Sequence, residues 1–106
     1  RYTYITDLFW DFDIDTDTGL SRTQGSIEIC DGDSCAVVAT IQRRVNNRWR
    51  DYKTFSIKRQ DDHAILDKSW TVPSGYVYRC HYTFNVYEGN SIVETSIKNS
   101  PVVDYE

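Results

Sequence analysis

The chain has 106 residues, of which 40% are hydrophobic, 14% aromatic and 26% charged, a mixture that supports one folded domain over 1–106 and is too short for two. Twelve Lys and Arg against sixteen Asp and Glu leave a net charge of −4, which argues against a dedicated nucleic-acid binder. No apolar run reaches the roughly 20 residues of a membrane-spanning helix, and the absence of methionine marks Arg1 as the start of a processed or trimmed chain.

Alternation with a period of two recurs along the chain and predicts strands. The first covers about 3–14, where Trp10, Phe12 and Ile14 alternate with Asp11, Asp13 and Asp15; Thr18-Gly19 ends it. A second, 20–30, carries Ile27 and Ile29 around Glu28, and Asp31-Gly32-Asp33-Ser34 separates it from a third at 35–45, where Val37, Ala39 and Ile41 form one face. Asn46-Asn47 fits a two-residue hairpin turn, because Asn tolerates positive φ. The next strand, 48–58, places Trp49 and Phe55 on one side; 65–72 follows after the polar Asp61-Asp62-His63 loop. Pro73-Ser74-Gly75 precedes 76–87, Glu88-Gly89-Asn90 precedes 91–99, and Pro101 separates that strand from a short one at 102–105.

Evenly spaced short strands in about 100 residues point to an all-β fold, an antiparallel two-sheet β-sandwich of seven to eight strands, immunoglobulin- or fibronectin-III-like. A small barrel is the alternative. The expected core is Phe12, Ile14, Ile27, Ile29, Val37, Ala39, Ile41, Trp70, Val72, Tyr78, Cys80, Tyr82 and Phe84.

Three cysteines raise the question of pairing. Cys30 is out of phase with Ile27 and Ile29 and points outward, Cys80 shares the inward phase of Tyr82, and Cys35 lies just across a short connection from Cys30. A disulfide between Cys30 and Cys35 is the expected arrangement, and it would imply an oxidising compartment. A Cys30–Cys80 bridge, which needs a bulge to turn Cys30 inward, and a fully reduced chain are the alternatives.

Several segments together carry a resemblance: Arg1-Tyr-Thr-Tyr-Ile-Thr-Asp7, Gly25-Ser-Ile27, Ile41-Gln-Arg-Arg-Val-Asn-Asn-Arg-Trp49 with Phe55, Pro73-Ser-Gly-Tyr-Val-Tyr-Arg79, and Val86-Tyr-Glu-Gly89 with Glu94. They resemble an uncharacterised group of small secreted β-sandwich proteins of Gram-positive, often gut-dwelling, bacteria. Ile41 stands where the group has leucine, Asn47 where it has glycine, and the cysteine pair is not part of the pattern. The resemblance implies export and a sandwich; it implies no catalytic residues. Tyr78-Arg79-Cys80 also echoes the Tyr-x-Cys of immunoglobulin strand F, so a tyrosine corner is expected at Tyr78 or Tyr76.

Two charged segments are candidates for chemistry. Asp7, Asp11, Asp13, Asp15 and Asp17 place five carboxylates within eleven residues. Their spacing fails the EF-hand pattern, so they read as a solvated strand face and no metal or other cofactor is expected. Asp31, Asp33 and Ser34 form a weaker acidic cluster of the same kind. Between residues 43 and 59, Arg43, Arg44, Arg48, Arg50, Lys53, Lys58 and Arg59 against Asp51 give a charge of +6, with Trp49 and Tyr52 interleaved. Arginine with aromatic residues is the composition of protein-interface hot spots and also suits anionic glycans; the plainer reading is a solvated hairpin whose Arg stems cover aromatic surface.

Catalytic motifs are absent, and neither His63 nor His81 sits in a recognisable nucleophile arrangement. The sequence therefore reads as a secreted, non-enzymatic binding module for an extracellular protein or glycan, with a host protein such as immunoglobulin as one form suggested by the resemblance. Trp49, Arg48, Arg50, Arg44 and Tyr52 are its candidate contacts. A self-assembling envelope protein is the alternative, followed by a small hydrolase.

Overall fold

β-branched and aromatic residues at every second position, interrupted by Gly, Asn and Pro, give strands throughout the computed structural model, which describes residues 2–106. The strands are β1 (Ile5–Asp15), β2 (Leu20–Ile29), β3 (Ser34–Val45), β4 (Arg48–Arg59), β5 (His63–Thr71), β6 (Tyr76–Glu88), β7 (Ser91–Asn99) and β8 (Val103–Tyr105). All pairings are antiparallel: a three-stranded sheet ordered β1-β2-β5 faces a five-stranded sheet ordered β4-β3-β6-β7, with β8 also hydrogen-bonded to β6. This is an immunoglobulin-like sandwich with β4 beside β3.

The hairpin between β3 and β4 turns on Asn46 (φ 53°) and Asn47 (φ 63°), the two positive-φ positions of a type I′ turn. Gly19 (φ 79°) closes the turn after β1, where a Cβ would lie 2.8 Å from the Val72 carbonyl oxygen and 2.9 Å from the Tyr105 hydroxyl.

Every residue expected in the core is buried except Trp70, which is 41% exposed. Trp70 keeps the phase of Leu66 and Val72, but β5 is the outermost strand of the smaller sheet. Its indole is covered from β4, by Phe55 edge-on at 6.2 Å and by Lys53 Nζ 3.8 Å from the ring centre. Ile5, Cys35, Ala64, Leu66 and Val86 complete the core.

The expected Cys30–Cys35 disulfide is not formed, nor is a Cys30–Cys80 bridge; all three cysteines are free thiols. Cys30, just past β2, is exposed and its Sγ lies 3.7 Å from the Thr3 carbonyl, whereas Cys35 is buried on β3, in the other sheet, with Sγ 3.6 Å from the Asp61 carbonyl. The short 30–33 connection is a crossing between sheets, not a hairpin, so one thiol faces water and the other the core. The oxidising-compartment inference loses this support. Burial pushes the Cys80 thiol up to about 12, against weaker opposing pulls from Tyr82 and Thr23, and leaves it an inert core group.

The tyrosine corner is present: Tyr78 Oη donates to the Pro73 carbonyl at 2.5 Å. Tyr78 is fully buried, so Tyr78→Phe strands that carbonyl beside the core. The expected loss is about 1 kcal/mol, seen as a melting temperature lower by about 4–8 °C; an unchanged melt would show that water replaces the bond.

At the opposite margin, Glu94 of β7 accepts backbone N–H groups from Thr3 (2.8 Å), Tyr4 (2.9 Å) and Ile5 (2.9 Å), and Tyr2 Oη meets Ser96 Oγ at 2.5 Å. These contacts fasten the segment leading into β1 to the other sheet.

Candidate functional site

The β3–β4 hairpin carries the basic segment, and its geometry follows from one irregularity. The register shifts between Ile41 and Gln42: Ile41 pairs with Lys53, and Gln42 with Asp51. Tyr52 is the extra residue of this bulge. Trp49 and Phe55, expected on one side, are therefore on opposite faces. Phe55 packs against the core, while Trp49 stands with Arg44 on the outer face of the five-stranded sheet.

On that outer face, cross-strand register brings residues of three strands together. Arg44 of β3 is opposite Trp49 of β4, and Gln42 of β3 has Asp51 on one side and Arg79 of β6 on the other. Arg79 Nε donates to Gln42 Oε1 at 2.8 Å, and Gln42 Nε2 donates to Asp51 Oδ1 at 2.9 Å. The Arg44 and Arg79 guanidinium carbons lie 4.8 and 4.5 Å from the centre of the Trp49 ring. Trp49 is thus a platform for two cations, one of which is fixed by a glutamine relay.

On the other face of the hairpin, Arg43 lies 4.7 Å from the Tyr52 ring centre and 4.3 Å from that of Tyr76, and both tyrosines meet Tyr78 edge-on. Arg50 is opposite Arg43 and Arg48 opposite Val45, so register places these two exposed arginines on the Tyr52 face. The five sequence candidates share one end of the molecule but divide between two faces: Trp49 and Arg44 on one, Tyr52, Arg48 and Arg50 on the other. Arg79, Arg43, Tyr76 and Gln42 belong to the same end and were not among the candidates. The outward phase of Arg79 beside Cys80 was the available signal for it.

Among the described residues, Arg43, Arg44, Arg48, Arg50 and Arg79 make no ion pair; the arginine ion pairs are Arg22–Asp67 (2.8 Å) and Arg59–Asp61 (3.9 Å). Asp51, the nearby carboxylate in sequence, is engaged by Gln42 instead. Stacking on a ring face leaves the N–H edges of a guanidinium available, and those edges match carboxylate, sulfate or phosphate oxygens.

The acidic ladder lies elsewhere. Asp7, Asp11, Asp13 and Asp15 are exposed on β1, and register aligns them with Glu28 of β2 and Asp67 of β5 on the outer face of the three-stranded sheet. Arg22 forks onto Asp67 there, at 3.1 and 2.8 Å. Asp33 is occupied structurally, accepting the Gly89 N–H at 2.7 Å.

Asp61, Asp62 and His63 form a separate exposed cluster whose ligand-type atoms lie within 4.8 Å of one another. His63 Nδ1 is 3.0 Å from Asp62 Oδ1 and 3.8 Å from Asp61 Oδ1, and this pairing holds the imidazolium form to higher pH, through the Asp62 hydrogen bond first and the Asp61 charge next. The cluster satisfies itself as a His–Asp pair. The second histidine, His81, meets Asn99 Oδ1 through Nδ1 at 2.9 Å.

Comparison of the chain with protein-family models, curated proteins and solved structures finds no match.

Proposed function

We propose that the chain is a non-enzymatic recognition module that binds a partner bearing acidic groups through the arginine–aromatic end of its five-stranded sheet. The observation that carries this reading is that one end of the five-stranded sheet gathers five arginines with no ion-pair partner among the described residues: Arg44 and Arg79 on Trp49 on one face, and on the other Arg43 on Tyr52 and Tyr76 with Arg48 and Arg50 beside it in register. Large, stiff aromatic rings supply contact area at small entropic cost, and the guanidinium edges supply directional recognition. The partner class is an extracellular protein or an acidic glycan. The resemblance to exported bacterial proteins supports secretion and admits a host protein, immunoglobulin included.

The test uses the whole chain against immobilised polyglutamate and an acidic polysaccharide, at low and moderate salt. The double variant Arg44→Ala/Arg79→Ala is expected to bind roughly tenfold or more weakly, and Trp49→Ala likewise, with thermal melts unchanged because these groups lie on the outer face. Retained affinity in both variants overturns the site. Preference for a single-stranded oligonucleotide over both probes overturns the partner class.

A further inference from the structure

We infer that one partner of the arginine–aromatic end is the acidic face of a second copy of this chain, so that molecules associate head to tail. The inference rests on the proposed site and adds its occupant. The outer face of β1-β2-β5 has an apolar centre: Phe9 and Ile65 are 49% and 62% exposed and stand in one cross-strand row with Ser26 between them. The row on one side holds Asp7, Glu28 and His63; the row on the other holds Asp11, Gln24 and Asp67. Arg22 occupies Asp67 and Asp62 pairs with His63, so the rim's carboxylates without an ion pair among the described residues are Asp7, Asp11 and Glu28; an exposed apolar centre flanked by these is the complement of aromatic residues flanked by guanidinium groups. Matching potentials of this kind steer encounter and fix orientation, while the desolvated centre supplies the affinity.

The placement of the two surfaces sets the type of assembly. The acidic face is the outside of one sheet, and Trp49, Arg44 and Arg79 lie on the outside of the other. A two-fold dimer presents the same side of both molecules to one interface, so it cannot engage both surfaces at once. Each contact is heterologous, and repetition extends the assembly beyond a pair, into an open chain or a ring of more than two copies.

Sedimentation velocity of the intact chain tests this. At low salt the mean sedimentation coefficient should rise continuously with concentration, and added salt should reverse the rise. Arg44→Ala/Arg79→Ala and Asp11→Asn/Asp13→Asn should each remain monomeric, while their equimolar mixture should form a one-to-one dimer and stop there, because neutral replacements leave no second complementary pair of surfaces. The mixture retains one intact basic end and one intact acidic face. A monomeric wild type at high concentration and low salt overturns the inference, as does a wild type that stops at a dimer, continued assembly of either variant, or a mixture that stays monomeric. If the wild type is monomeric yet Arg44→Ala/Arg79→Ala loses polyglutamate binding, the self-association falls and the binding site stands. If polyglutamate binding is also unaffected, both fall.

Discussion

Tyr82→Ala is expected to lower the unfolding free energy by about 3–5 kcal/mol, because this one side chain joins both sheets. Tyr82 is fully buried on β6, stacks on Phe84 with ring centres 6.0 Å apart and planes at 8°, and donates its hydroxyl to the Asp11 carbonyl of β1 at 2.7 Å. Its ring also lies over β2 at Gly25, where a Cβ would stand 3.2 and 3.3 Å from two ring carbons and 3.0 Å from Val37 Cγ1. Removing the ring opens a cavity between the sheets and removes the bond to β1. Tyr82→Phe isolates the hydroxyl and should cost about 1 kcal/mol. Gly25→Ala should cost about 1–3 kcal/mol in the native background, by overpacking. In the Tyr82→Ala background that cost should fall by at least half, since the crowding ring is gone, which makes the pair strongly non-additive. Urea unfolding of the four chains measures the cycle; additive costs would show that Val37 alone limits Gly25.

What the sequence disclosed and what it concealed divide along a physical line. Period-two alternation is a local property, and it correctly oriented Phe12, Ile27, Ile41 and Phe84 toward the core. The Asn46-Asn47 turn and the Tyr78 corner are local as well, each read from neighbouring residues. Which sheet a strand joins is not local. Cys30 is exposed as its phase implied, but it follows β2 of one sheet while Cys35 lies buried on β3 of the other, so proximity in sequence did not become a bond. Trp70 has the right phase at the wrong depth, because phase says nothing about distance from a sheet margin. The same limit applies to the candidate site. The hairpin's composition marked Trp49 and Arg44, whereas Arg79 and Tyr76 arrive through the β3–β6 pairing. The bulge opposite Gln42 then puts Trp49 and Phe55 on opposite faces despite their shared parity, and no feature of the alternating pattern announces it.

The Glu94 clip gives stability a pH dependence whose direction is fixed by its geometry. Burial alone would raise this carboxyl's pKa, but the three N–H groups of Thr3, Ile5 and Tyr4 outweigh burial and hold it below its ordinary value of 4.5. A carboxylate with a depressed folded pKa contributes its full stabilisation above the unfolded value and loses it as pH falls through the folded one. Glu94→Gln keeps the shape but replaces one acceptor oxygen by a donor and removes the charge. At pH 7 it should destabilise the protein by about 1–2 kcal/mol, the usual worth of charge-assisted hydrogen bonds reduced for partial solvent contact. Well below pH 4 the protonated wild-type carboxyl and the amide are both neutral, and the gap should shrink toward zero. Urea unfolding of both chains at neutral and acid pH tests this, and amide exchange at Thr3, Tyr4 and Ile5 should quicken in the variant at neutral pH. An equal gap at both pH values would assign the effect to packing instead of charge. The clip would then fasten the β1 lead-in to β7 by shape alone.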